Sequence, residues 1–178
     1  MTSRKRAADG AGAGAEDMAR PLPFSRPWPV ERLSPEGPTR VSVETTEDER
    51  RAVARFLGVD AVSAMDLEGT AERWGEDGVA VRGEAHAVVV QTCVVTLEPV
   101  ASEIAATFER RFLPGVAPVE AAELELGPGS ENEPEPLGET IDLAQLLLEA
   151  VALEIDPYPR KEGAALGSRV YAPPGVEA

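Results

Sequence analysis

Strict alternation of apolar and polar residues predicts strands in three stretches of the chain. The first is Arg40–Glu44, where two valines share one face. Two longer runs, Met65–Glu72 and Val79–Val90, alternate in the same way, and the cluster Trp74–Gly78 between them has the length and composition of a hairpin connection. The pattern therefore predicts a long antiparallel hairpin, with a shorter strand before it.

Two further segments are less regular. Pro23–Arg32 is expected to be an edge strand, because proline cannot donate to a sheet ladder. The segment Ile104–Phe112 fits both a strand and a helix. We favour a strand, since β-branched and aromatic residues are frequent there and Pro114 stops the segment sharply.

A helix is predicted to start after Thr46. Thr46 and Glu49 have the spacing of a capping box, and acidic residues fill the first turn, where the helix dipole favours them. Gly58 supplies a left-handed end. The apolar stripe of this helix consists of Val53, Phe56 and Leu57.

A second helix is predicted from Asp142 to about Glu154. Asp142 is a good N-cap, and Gln145 is placed to complete a box-like cap. Pro157 prevents continuation. The apolar positions fit one helical face, and they are Leu143, Leu146, Leu147, Ala150 and Val151. Together, these elements predict an α+β fold with a mainly antiparallel sheet and two principal helices.

Charge is distributed unevenly along the 178 residues. The chain has 32 acidic and 17 basic residues, a net charge of −15, yet no Lys or Arg occurs between Phe112 and Pro159. A net positive surface for coating a phosphate backbone is therefore excluded, and only a local basic patch could contact RNA. Residues 114–138 are acidic and rich in Pro and Gly, which predicts a flexible acidic loop. The alternative is an acidic arm that docks on a basic partner.

The ends of the chain have the composition of flexible segments. Residues 1–21, with the small-residue run Gly10–Ala15, are expected to be a disordered leader, and residues 164–178 a flexible tail. A single domain is predicted over 22–163. Because there is no apolar signal region and no run near the roughly 18 apolar residues of a membrane span, we expect a cytoplasmic protein without a membrane partner.

Few residues suggest chemistry. With one His and one Cys, neither a disulfide framework nor an ordinary zinc site is expected. His86 and Cys93 have opposite parity, so one strand through both would separate them. Cys93 is expected to be a small buried apolar residue. The usual phosphate, dinucleotide, hydrolase and zinc-protease motifs do not occur in the sequence, and we expect no catalytic residue, metal, cofactor or small-molecule substrate.

Arginines in the first third of the chain offer the one candidate for RNA contact. Arg51 and Arg55 lie on one face of the first predicted helix. Ordinary helix solubility and pairing with Glu47 are the favoured explanation, and a weak RNA-facing basic patch is the alternative. The full set is Arg20, Arg26, Arg32, Arg40, Arg50, Arg51 and Arg55.

The segment Val88–Val100, VVVQTCVVTLEPV, resembles the signature of the YceD family, bacterial proteins named for accumulation of large-subunit ribosomal RNA. Further stretches agree in order and spacing with that family, particularly its alphaproteobacterial branch: Arg26–Val30, Gly83–Ala87, Ile141–Leu143 and Pro157–Arg160. The resemblance covers about residues 22–163. It marks eight signature positions of unassigned role, namely Gly83, Gln91, Cys93, Glu98, Asp142, Tyr158, Pro159 and Arg160.

The resemblance implies a non-enzymatic factor that supports synthesis, processing or stability of large-subunit ribosomal RNA. Its direct partner is either ribosomal RNA or a basic large-subunit ribosomal protein, for which this chain is an acidic adaptor or chaperone. Many family members carry Cys-x-x-Cys where this chain has Cys93 and Thr96, and the Asn-Pro-Phe-type ending of relatives is missing. A metal or redox role of paired cysteines is therefore lost here. An enzyme that uses Cys93 is the third hypothesis.

Overall fold

The computed structural model describes residues 21–116 and 133–164. In chain order, the elements are β1 (Pro27–Pro29), a 3-10 turn (Val30–Arg32), β2 (Thr39–Glu44), α1 (Glu47–Leu57), β3 (Ala61–Trp74), β4 (Gly78–Thr92), β5 (Pro99–Leu113), β6 (Glu135–Pro136), β7 (Thr140–Asp142) and α2 (Leu143–Glu154).

Two sheets make up the strand content of the described residues. The larger has the order β2-β3-β4-β5-β6 and is antiparallel except for the β5–β6 pair, and the smaller pairs β1 with β7. The long hairpin of β3 and β4 turns through residues 75–77, as the alternation predicted. The α+β class with a mainly antiparallel sheet and two helices is confirmed.

One face of the five-stranded sheet is buried, and we call it the inner face. Alternate residues of β3 and β4, such as Leu67, Val81 and Val89, are fully buried there. They share a single core with Val53 of α1 and Leu147 of α2. The predicted apolar face of α2 is buried throughout, and Ala144 and Leu148 are buried as well. The opposite, outer face carries the polar half of the alternation.

The helix ends follow the predicted chemistry with one exception. Thr46 and Glu49 form a complete capping box, and Gly58 ends α1 in the left-handed region with φ of 71°. Asp142 caps α2 by accepting the backbone N–H of Ala144 at 2.9 Å. The expected contribution of Gln145 to that cap was wrong, because its side chain donates to Glu149 instead.

Three strand boundaries differ from the sequence expectation. Only Pro27–Pro29 of the segment predicted as an edge strand is extended, because the chain turns into the 3-10 helix at Val30. This strand pairs with β7 outside the main sheet. β3 begins at Ala61, and an irregular register after Val62 conceals the early part of its alternation. The ambiguous segment before Phe112 is a strand, as favoured, and starts at Pro99.

The end of the acidic segment belongs to the fold. Glu135–Pro136 adds to the sheet beside β5, and the Leu137 N–H donates to the Leu113 carbonyl at 2.9 Å. The expectation of a flexible loop as far as residue 138 was therefore wrong at this end, because Leu137 packs against the core. Residues 117–132 of the predicted loop, 1–20 of the leader and 165–178 of the tail lie outside the described residues.

Among the described residues, no helix is both long enough and apolar enough to cross a bilayer.

Close strand contact at Gly83 leads to the first prediction. A Cβ at this position would lie 2.6 Å from the Glu68 carbonyl oxygen and 3.0 Å from the Phe108 ring, whereas Gly37 has nothing within 4 Å. Gly83→Ala is therefore expected to lower the free energy of unfolding by about 1–3 kcal/mol, measured by urea denaturation. Gly37→Ala is the control and should change it little. Equal stability of the two variants would contradict the packing.

Candidate functional site

Most of the signature positions converge where β4 ends. The chain leaves β4 after Thr92, turns through residues 93–98 and enters β5 at Pro99. We call this connection the Cys93 turn. The segment that follows α2, residues 155–161, lies against it, since the Val94 N–H donates to the Pro159 carbonyl at 3.0 Å. Residues more than sixty positions apart in sequence therefore meet in one structural unit.

The sulfur of Cys93 is an acceptor at the centre of this unit. Its side chain is fully buried, and Sγ accepts the backbone N–H groups of Val95, Thr96 and Lys161, each at 3.4 Å. A hydrogen bond with the Thr96 side chain, followed by these backbone N–H groups, lowers the pKa of Cys93 to about 6. Burial was expected, but the expected apolar environment was wrong, because three donors point at the sulfur.

Further bonds tie the turn to the segment after α2. Within the turn, the Cys93 N–H donates to the Glu98 carbonyl at 2.8 Å. Across the unit, the Gln91 side chain donates to the Asp156 carbonyl at 3.0 Å, and Lys161 Nζ lies 2.9 Å from a Glu98 carboxylate oxygen. This cation lowers the pKa of Glu98. Gln91, Cys93 and Glu98 therefore hold the exit of α2 in place.

The remaining signature positions of the exit segment divide between interior and surface. Pro159 is buried beneath the Cys93 turn, whereas Tyr158 is 69% exposed and Arg160 is exposed. The backbone N–H of Tyr158 donates to the Asp156 carboxylate at 2.8 Å, which fixes the backbone but leaves the ring in solvent. Of these three residues, only Pro159 helps to hold the exit of α2 in place.

Asp142 holds the start of α2 in place through a second, separate set of hydrogen bonds. One carboxylate oxygen accepts the N–H groups of Arg26 at 2.8 Å and Ala144 at 2.9 Å, and the other accepts the Ser25 hydroxyl at 2.7 Å. The same carboxylate thus caps the helix and fixes the segment before β1. Gly83 belongs to neither of these two sets of contacts and lies in the middle of β4.

Sequence reasoning missed two features of the Cys93 turn. Leu97 has a φ of 61° and is 77% exposed, and Val94 beside it is 48% exposed. Nothing in the sequence signalled the left-handed backbone, which usually calls for Gly or Asn. Lys161, whose N–H and ammonium both bind the turn, was also missed.

His86 and Cys93 do not form an acid–base pair. His86 is exposed on the outer face, with Nε2 3.5 Å from Glu84, and it is not among the donors to the Cys93 sulfur. The described ranges contain no group of three or more His, Cys, Asp or Glu residues placed to hold a metal ion. The geometry of the Cys93 turn is that of a buried sulfur that accepts three backbone N–H groups.

A family model described as "Large ribosomal RNA subunit accumulation protein YceD" matches residues 81–176. The chain belongs to the YceD family. All eight signature positions lie in the matched part, whereas Arg26–Val30, which resembled the opening strand of the family, lies before it. No curated protein and no solved structure matches the chain. Membership indicates a role in accumulation of the large ribosomal RNA subunit and involvement with that subunit.

The lowered pKa of Cys93 predicts a pH dependence of stability. The folded pKa of Cys93 is about 6, and the pKa of an unfolded thiol is about 8.5. The contribution of Cys93 to the free energy of unfolding is complete above the pKa of the unfolded thiol. It is lost as the pH falls towards 6, because the unfolded chain binds the proton first. The free energy of unfolding should therefore rise between about pH 6 and about pH 8.5, measured by urea denaturation across that range.

Cys93→Ala is the matched variant for this titration. It removes the thiol and leaves three N–H groups without their acceptor, so it should be less stable than the wild type and its stability should change less over the same pH range. Parallel pH profiles for wild type and Cys93→Ala would contradict the lowered pKa of Cys93.

Proposed function

We propose that this YceD-family protein acts in the cytoplasm, without catalysis, as an acidic adaptor for a basic protein of the large ribosomal subunit. Accumulation of the ribosomal RNA then follows from protected delivery of that protein. One observation carries the proposal, a group of carboxylates on the outer face of the sheet, which we call the acidic face. Its members are Glu44, Asp66, Glu68, Glu84 and Glu103.

The strand register brings four of these carboxylates together, and Glu103 lies opposite Val88 on the neighbouring strand. Glu44 is directly opposite Asp66, and Glu68 is directly opposite Glu84. Like charges directly opposite each other destabilise a sheet. An open concavity of about 400 Å³ lies beside the first three of them. This arrangement gives the isolated fold no added stability, whereas a cationic partner would be attracted to it.

Within the described ranges, no Lys or Arg forms an ion pair with the acidic face, although Arg50 lines the same concavity, where its guanidinium donates to the Thr45 carbonyl at 2.5 Å. No Lys or Arg nitrogen in these ranges lies within 4.0 Å of the carboxylates of Glu44, Asp66, Glu68 or Glu103, and Glu84 has only His86. Unpaired exposed carboxylates create a negative field that attracts a basic protein and repels the phosphates of RNA.

Several arginines that could contact RNA are instead engaged in ion pairs. Arg26 lies 2.7 Å from Glu49, and Arg51 pairs with both Glu47 and Asp48. Other described arginines are similarly paired, namely Arg82, Arg110 and Arg111. Exposed arginines without such a pair occur singly on separate segments of the chain: Arg32, Arg40, Arg55, Arg73 and Arg160. This pattern favours a protein partner over direct RNA binding.

A charge-neutralised variant tests the proposal. All five residues of the acidic face are changed to the corresponding amides, and binding of the full chain is measured to proteins extracted from purified large subunits and, separately, to deproteinised large-subunit RNA. At low salt, association with the protein mixture should slow by about tenfold, and the difference should shrink as salt rises.

The matched control removes the same five charges elsewhere, by Glu→Gln at exposed positions Glu31, Glu36, Glu76, Glu133 and Glu162. It should retain faster association than the acidic-face variant, because its net charge is the same but the local field is intact. Equal rates for the two variants would contradict a role of the acidic face. Binding of the wild type to RNA alone would contradict the protein adaptor.

A further inference from the structure

Three apolar side chains project from the Cys93 turn and its neighbouring segment. Val94, Leu97 and Tyr158 are 48%, 77% and 69% exposed, respectively. The bond from the Val94 N–H to the Pro159 carbonyl places the residue next to Tyr158 directly against the turn. We call these three residues the apolar knuckle. Large exposed apolar residues that lie together on a protein surface indicate an interaction site.

The backbone at Leu97 is unfavourable for a leucine. Its φ of 61° is the only positive value at a non-glycine residue within the described ranges, where the other left-handed positions are Gly58, Gly75, Gly115 and Gly163. A Cβ in this conformation is strained, and glycine relieves that strain. The chain thus uses glycine at four such positions and a large apolar residue at the fifth.

Packing inside the chain does not compensate for this strain, because most of the Leu97 side chain is in solvent. The surrounding turn is nevertheless fixed. The Leu97 N–H donates to the Cys93 carbonyl at 3.0 Å, and the buried sulfur binds the two residues just before Leu97. A rigid turn therefore presents a strained leucine outward, which is typical of a residue retained for contact with another molecule.

We infer that the apolar knuckle is the anchor that inserts into an apolar pocket on the basic protein partner; this inference rests on the proposed function. The partner's pocket is expected to have a basic rim. Thr92 binds the Asp60 carboxylate at 2.8 Å, Gln91 binds the Asp156 backbone, and Glu98 lies in the turn itself, so three carboxylates flank the knuckle. Two cations lie in the same segment, Arg160 and Lys161, and the Lys161 ammonium pairs with Glu98, so acidic groups exceed basic ones by one.

A protein fits this surface better than RNA. Tyr158 is the one ring of the knuckle, whereas Val94 and the strained Leu97 are aliphatic and offer no surface for base stacking, which is the usual apolar contact with single-stranded RNA. The flanking carboxylates repel phosphates. A few desolvated apolar residues commonly supply most of the affinity of a protein interface, whereas exposed charges mainly set the association rate. The knuckle should therefore control dissociation.

Leu97→Asn tests the anchor, because asparagine tolerates the left-handed backbone but removes the apolar side chain. The probe is the protein mixture extracted from purified large subunits, bound to the full chain. Dissociation should become at least about tenfold faster while association changes little. Leu153→Asn is the control, since Leu153 is 80% exposed on α2 and has no part in the knuckle. It should leave both rates within about twofold of the wild type.

Leu97→Gly separates anchoring from folding. This variant should melt at or above the wild-type temperature, because strain is relieved and little packing is lost, yet it should dissociate as fast as Leu97→Asn. A lower melting temperature would show that Leu97 stabilises the fold and would contradict the inference.

The remaining outcomes distinguish the two proposals. Wild-type dissociation rates for both Leu97 variants, with binding to the protein mixture intact, would overturn the anchor and leave the adaptor function standing. A wild-type chain that binds only deproteinised RNA, or neither probe, would overturn the proposed function and the anchor with it.

Discussion

The fold depends on keeping α2 against the inner face of the five-stranded sheet. That face is made mostly of Val, Leu and Ala, and its burial is the main source of stability available to a chain with few aromatic residues. α2 contributes the largest apolar covering, with seven buried residues, although it comes from a part of the sequence far from the central hairpin. It is held at both ends. Asp142 binds its start to the segment before β1, and the Cys93 turn binds the segment that leaves it.

This arrangement explains why the signature positions are polar or conformationally special rather than simply apolar. Gln91, Cys93 and Glu98 provide an amide donor, a sulfur acceptor and a carboxylate, each bonded to the segment after α2. In this chain a single sulfur with three backbone donors fixes the turn. The polar groups of Gln91, Cys93 and Glu98 are bonded to the segment after α2. The outer face of the sheet and the exposed side of the Cys93 turn therefore remain available for a partner.

The sequence predicted the elements that local chemistry determines. The capping box at Thr46, the left-handed Gly58 and the alternating hairpin all depend on near neighbours, and the structure has each of them. It did not predict contacts between distant segments. The strand at Glu135–Pro136 has no propensity of its own and exists because β5 offers an edge beside the core. The donors to the Cys93 sulfur include Lys161, which no local pattern could have identified. The left-handed Leu97 contradicts local preference, and no local pattern predicted it.

Zero-length carbodiimide crosslinking tests the central claim most directly, because it joins carboxylates to lysines that touch them. The full chain is crosslinked at low salt to proteins extracted from purified large subunits, and the joined peptides are identified by mass spectrometry. The account predicts crosslinks from Glu44, Glu68, Glu84 and Glu103 to lysines of a basic large-subunit protein, with loss of the crosslinks at high salt. Crosslinks confined to carboxylates off the acidic face, or contact with ribosomal RNA at the arginines in place of protein, would contradict it.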